Sequence, residues 1–454
     1  MKELDLTQGS VPKVLLQFAV PFLIANVLQA LYGGADLFVV GQYDDSASVA
    51  AVAIGSQVMQ TITGIILGIT TGTTVLIAIA TGAKDNRKVA FTIGSSVWLF
   101  SITGVVLTLV MVLFHSRIAE LMHTPVEAMV DTKNYILVCS LGILFIVGYN
   151  VVCGILRGLG DSKTPLYFVG LACVINIVLD FILVGYFHWG AAGAAIATVS
   201  AQGVSFGIAL WFLYRHGFHF DFSRKDIRLN RNLSKKILVL GAPIALQDAL
   251  INVSFLIITV IVNQMGVIAS ASLGVVEKII VFAMLPPMAI SSAVATMTAQ
   301  NYGAGLIKRM NKCLASGIGI ALVFGVSVCV YSQFLPETLT AFFTKDAAVV
   351  AMAADYLRGY SIDCIVVSFV FCINSYFSGQ GNSLFPMIHS LIATFLFRIP
   401  LSYWFSQIDS SSLFIMGFAP PISTVVSLLI CIWYLRYTQR KLYLRGTMMP
   451  VMSN

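Results

Sequence analysis

The chain has 454 residues, 58% of them hydrophobic and only 10% charged, with 27 basic against 20 acidic side chains and a formal charge of +7. A soluble chain carries about 25% charged residues, so this composition excludes a large soluble enzyme, a disordered or collagen-like chain, and a nucleic-acid-binding reading of the positive charge. With a mean hydropathy of +0.90, the sequence describes an all-α polytopic membrane protein.

The first residues mix Lys2 with Glu3 and Asp5, and the apolar run that follows is far longer than a signal-peptide core. The first helix is therefore expected to be an uncleaved span. Twelve apolar runs long enough to cross a bilayer follow in order. Six lie near 14–40, 49–80, 89–114, 131–156, 166–187 and 191–214, and six near 237–262, 267–298, 313–335, 350–376, 384–405 and 413–435. The second run is over-long and contains Gly55, Gly64, Gly68 and Gly72, which predicts a tilted or bent helix. The long polar interval 215–236 divides the chain into an N-lobe (1–214), a basic linker (215–236) and a C-lobe with a basic tail (237–454). If the N-terminus is cytoplasmic, 21 of the 27 basic residues fall on inside segments and three on outside loops. The positive-inside rule then places both termini and the linker in the cytoplasm.

The halves repeat. Leu156-Arg157-Gly158-Leu159-Gly160-Asp161-Ser162-Lys163-Thr164-Pro165 returns 221 residues later as Phe377-Ser378-Gly379-Gln380-Gly381-Asn382-Ser383-Leu384-Phe385-Pro386. Gly82-Ala83 returns at the same offset as Gly303-Ala304, and Pro21 answers Pro243 at 222. Two pseudo-symmetric six-helix lobes in parallel orientation follow, an arrangement suited to a rocking transporter. The two interior motifs read as helix ends, because no phosphate-loop pattern is present. The eight cysteines lie in apolar stretches without metal-ligand spacing and read as small buried hydrophobes.

Ionisable residues inside spans are costly and point to function. Gln29 and Asp36 share one face of the first helix, and Asn176 and Asp180 form an i, i+4 pair on the fifth. Thr198 lies on the sixth helix, Tyr135 and Asn150 on the fourth. Such oxygen ligands suit a coupling ion, H⁺ or Na⁺, with Asp36 and Asp180 as its carboxylates. The other reading of the same residues is a set of isolated buried polars, each bonded to a backbone carbonyl. In the second half Asp248 and Glu277 are candidates for a substrate cavity or for pairing with other helices. Met284, with other methionines and aromatics, is a candidate for an adaptable lining or for helix packing. No HExxH, GxSxG or kinase-type motif occurs, so no enzyme activity is expected.

Pro21 and Asp36 in AVPFLIANVLQALYGGADLFVVGQ, LRGLGDSKTP after the fourth span, NIVLD in the fifth and QNYGAG after the eighth together resemble the multidrug and toxic compound extrusion (MATE) family. The resemblance runs over essentially the whole chain and favours the DinF-like/MepA-like branch. It implies antiport, in which inward H⁺ or Na⁺ movement drives export of amphipathic, often cationic, drugs. By position it carries a coupling role to Asp36, Asn176, Asp180, Thr198 and Asn150, and a cavity role to Gln29 and Tyr135. Where NorM-like members carry a seventh-helix glutamate this chain has Ile251, which places the coupling chemistry in the N-lobe. Bending of the first helix at Pro21 is the expected gate. The partners expected are drug-like small molecules and membrane lipid, without nucleic acid, cofactor or obligatory oligomer, in a bacterial cytoplasmic membrane. The alternatives are a flippase of the wider MOP superfamily for a lipid-linked substrate, and a membrane-embedded transferase.

Overall fold

The computed structural model describes residues 4–408 and 412–447. Lys2, Glu3 and the end of the basic tail lie outside the described residues. Every long element is a helix, as it must be where no water satisfies backbone groups. The first half contains α1 (Val11–Tyr43), α2 (Ser46–Gly82), α3 (Asn86–Leu121), α4 (Met129–Leu141), α5 (Ile143–Gly158), α6 (Lys163–Asp180) and α7 (Gly190–His216). The second contains α8 (Arg231–Asn263), α9 (Val267–Gly303), α10 (Ile307–Phe334), the short α11 (Pro336–Thr340), α12 (Ala347–Gly379), α13 (Leu384–Ile392), α14 (Ile399–Ile408) and α15 (Ala419–Thr447). Among the described residues eleven helices are long and apolar enough to span a membrane, and the bent pair formed by Val126–Leu141 and α5 makes the twelfth.

That pair bends by 48° at its break. The glycine-rich second span is one continuous helix of 37 residues, α2. Two of its glycines serve close packing: a Cβ on Gly68 would stand 2.6 Å from the Ala245 backbone, and one on Gly72 2.4 Å from the Ile237 carbonyl oxygen. Small residues at helix contacts are the usual device in membranes, where van der Waals packing drives association.

The chain forms two compact units. Unit 1 comprises Met1–Ala249 with Ser292–Cys313 and Ser378–Ser383; unit 2 comprises Leu250–Ser291, Leu314–Phe377 and Leu384–Asn454. Within unit 1 the internal repeat reappears as packing. A Cβ on Gly82 would lie 1.9 Å from the Gln300 carbonyl oxygen, and one on Gly303 would lie 1.9 Å from that of Ile79. The 221-residue offset carries Gly82 to Gly303 and Ile79 to Gln300, so the second contact is the first with the helices exchanged, and α2 and α9 cross through a self-complementary patch. Close by, the segment before α1 is strapped down. The Leu6 carbonyl accepts from Asn301 Nδ2 at 3.1 Å, and Arg309 donates to the carbonyls of Leu6, Gln8 and Gly9.

The polar interval after α7 is held against unit 1. Phe218, Phe220 and Phe222 pack on its apolar core, and Trp98 Nε1 donates to the Ile227 carbonyl at 3.1 Å. Arg228 lies 5.2 Å over the Phe91 ring. Within it, Ser223 donates its backbone N–H and hydroxyl to Asp226, holding that carboxyl below the usual range.

Candidate functional site

Three helices of unit 1 bring the predicted polar residues together. The motif before α6 fixes where that helix begins: Gly160 turns the chain at φ 98°, and Asp161 Oδ1 accepts the N–H groups of Lys163 and Thr164 at 3.0 Å each. Seventeen residues into α6 the regular helix ends at Asp180 and widens into a π turn, Phe181–Tyr186. Such distortions recur at functional sites because they re-aim side chains. The start of α7, Gly190-Ala191-Ala192-Gly193-Ala194-Ala195, is small enough to lie close against α6 and this turn. Thr198 is thereby carried to the α1 face that bears Asp36.

Thr198 Oγ1 donates to Asp36 Oδ2 at 3.0 Å, and Asn176 Nδ2 donates to Thr198 Oγ1 at 3.4 Å. The Asp36 and Asp180 carboxyls lie close enough for each to feel the other's charge. All three helix-borne groups are deep: Asp36 is 3% exposed, Asn176 1% and Asp180 0%. Asp36 Oδ1, Asn176 Oδ1 and both Asp180 oxygens have no hydrogen-bond partner. Four buried acceptor oxygens with no donor form a concentrated demand for positive charge. A shared proton or a bare monovalent cation meets that demand. Among the described residues no group of three or more His, Cys, Asp and Glu could hold a metal ion, so a cation here would rest on two carboxylates and neutral oxygens.

The remaining predicted residues divide. Tyr135 joins the neighbourhood of Asp36, with its ring flat against Gly55 and its hydroxyl 2.9 Å from Ser56 Oγ. Asn150 is buried, but its Nδ2 donates to the Ile146 carbonyl at 2.7 Å on its own helix, the isolated-polar arrangement weighed for the whole set. Gln29 is half-buried on α1, Pro21 is buried inside an α1 that continues through it, and Asp248 is exposed on α8. Glu277 and Met284 belong to unit 2. Glu277 accepts from Thr259 Oγ1 at 3.4 Å, while Met284 sits in the apolar core of that unit.

Two contributors were missed. Tyr32 and Gln202 lie next to one another, with Tyr32 within electrostatic reach of Asp36. Tyr32 precedes Asp36 by one turn of α1 and Gln202 follows Thr198 by one turn of α7, so the same i, i+4 arithmetic would have found them.

A family model described as MatE matches residues 21–182 and 243–404, two segments that begin 222 residues apart. The chain is 29% identical over 407 residues to the "Probable multidrug resistance protein YpnP" of Bacillus subtilis, covering 89% of this chain and 91% of that one. It is 27% identical to the "Probable multidrug resistance protein NorM" of Thermotoga maritima, with 86% and 85% covered, and 26% identical to the "Multidrug export protein MepA" of Staphylococcus aureus, with 82% of each covered. Among solved structures, a MATE crystal structure in the straight conformation superposes with a TM-score of 0.90 at 24% identity, covering 97% of this chain and 99% of that one.

Proposed function

Since the chain belongs to the MatE family, we propose that it is a cation-coupled antiporter exporting amphipathic, often cationic, small molecules by alternating access. The relatives' names speak of multidrug resistance and export. The observation that carries the coupling is the pair of buried carboxyls, Asp36 and Asp180, with three of their four oxygens unpartnered.

Asp36 and Asp180 take up H⁺ or Na⁺ from outside, and Asn176 and Thr198 complete the shell with neutral oxygens. A cationic drug in the same lobe competes for the same negative charge, so each ligand weakens the other, which is the thermodynamic content of antiport. Pro21 supplies the gate. Its ring removes the hydrogen bond that the Gln17 carbonyl would otherwise receive, which leaves α1 easiest to bend about four turns before Asp36. No bond-making step is needed. The protein lies in the cytoplasmic membrane as a monomer, with both termini inside. A flippase for a pyrophosphate-linked lipid would need cationic groups where this lobe carries two acids.

The test is dye accumulation in inverted vesicles under a pH gradient or a Na⁺ gradient imposed separately. Wild type accumulates dye under one of them; Asp36→Asn and Asp180→Asn are folded and do not. Normal accumulation by both variants would refute the mechanism.

A further inference from the structure

Unit 2 carries its own intramembrane charge cluster, of a different kind. Arg398 closes a π turn, Ala393–Arg398, that joins α13 to α14. At the 221-residue offset this turn answers residues 172–177 of α6, nine residues before the π turn that follows Asp180. The two halves therefore place side chains of opposite charge at the same type of helix distortion. Both turns are places where a side chain is re-aimed.

The Arg398 guanidinium lies 4.3 Å over the Phe255 ring. Its Nε is buried without a hydrogen-bond partner, and among the described residues it forms no ion pair. Two acids stand within its electrostatic reach without touching it. Glu277 is half-buried, and Asp363 is 5% exposed with Oδ1 unpartnered. Tyr356 and Tyr360, stacked with ring centroids 6.1 Å apart, lie in the same neighbourhood.

A structural arginine in a membrane helix normally closes on a carboxylate, because an uncompensated charge there is costly. Here the guanidinium stacks on the Phe255 ring and closes on neither acid. A purely cationic ligand would leave Arg398 unmet, and a purely anionic one would leave the acids unmet. A ligand with both charges meets both, its acidic group on the planar donor fork and its cationic end toward Glu277.

We propose that Arg398 determines specificity in unit 2, receiving the carboxylate of zwitterionic amphiphiles whose cationic end faces Glu277 and whose apolar body lies on Phe255. The proposal rests on the export reading above and adds to it a substrate class and a residue.

Rhodamine B, a cation bearing a free carboxylate, and its methyl ester, the cation alone, form the probe pair. Their dissociation constants are measured by fluorescence polarisation on the purified full-length protein. Arg398→Gln weakens rhodamine B about tenfold or more and changes the ester less than twofold, so the ratio of the two constants shifts about tenfold. Arg398→Lys keeps the charge but loses the fork and shifts the ratio by less. It provides the same readout if the glutamine variant does not fold. An unchanged ratio, whether both probes weaken equally or neither does, overturns the proposal and leaves Arg398 a structural residue. Gradient-driven uptake of the ester into wild-type vesicles is measured alongside. If it fails, the export reading falls; if it succeeds while the ratio is unchanged, only the Arg398 assignment falls.

Discussion

The crossing of α2 and α9 makes a quantitative demand. A methyl group on Gly82 would stand 1.9 Å from a backbone carbonyl oxygen, and the same is true of Gly303, whereas ordinary contact begins at 3.4 Å. The two helices would have to part by about 1.5 Å, and neither obstacle is a side chain that can swing away. Overpacking of this sort costs about 1–3 kcal/mol, a factor of roughly 5 to 150 in a folding equilibrium. Gly82→Ala and Gly303→Ala should therefore each lower the thermal unfolding midpoint in detergent. Because the two contacts are related by the repeat, the two losses should be nearly equal, and the double variant should lose less than their sum, since one separation relieves both clashes. Gly319→Ala, where nothing lies within 4 Å of the new methyl, is the control and should match wild type or exceed it slightly. If Gly82→Ala melted with the control, the close crossing and the packing argument built on it would both be wrong.

Two further outcomes follow from hydrogen bonds. Thr198→Val removes the hydroxyl that donates to Asp36 and accepts from Asn176 Nδ2; bonds to charged groups are worth about 1.5–3 kcal/mol, so gradient-driven dye uptake should fall about tenfold or more while Thr198→Ser retains it. His389 is buried between Ser427 Oγ and Asn374 Oδ1, each at 2.8 Å from a ring nitrogen; His389→Leu strands those partners, and its melting midpoint should drop by the equivalent of about 1–3 kcal/mol with transport per folded molecule unchanged.

The spans were legible because a bilayer demands some twenty apolar residues at a stretch, and the repeat because its glycines recur at one offset. What glycine does was not legible. Four in the second span suggested a tilt or a bend; Gly68 and Gly72 prove to admit neighbouring backbone, and the sharp break of another span falls at Gly142, against Val199. Flexibility and close approach call for the same residue, and only the partner decides between them. In the site, helical periodicity put Asp36, Asn176, Asp180 and Thr198 on usable faces. Asn150 satisfied the same pattern but spends its amide on its own helix. The π turns at Phe181–Tyr186 and Ala393–Arg398 carry no sequence signature, so the aim of Asp180 and Arg398 could not be read from spacing. The 215–236 interval reads as a basic linker because it is polar, and its composition does not announce that its phenylalanines dock on the unit 1 core.

The strap before α1 has a consequence for the order of assembly. Leu6 finds its partner Arg309 across 303 residues of sequence. At about 5–20 residues per second, synthesis leaves that segment waiting about 15–60 s while α1 to α9 enter the membrane. Its backbone carbonyls stay solvated until the ninth helix arrives. The stretch made among the first is thus fastened among the last, and its protection from proteolysis during synthesis reports that the α9–α10 turn has reached its place.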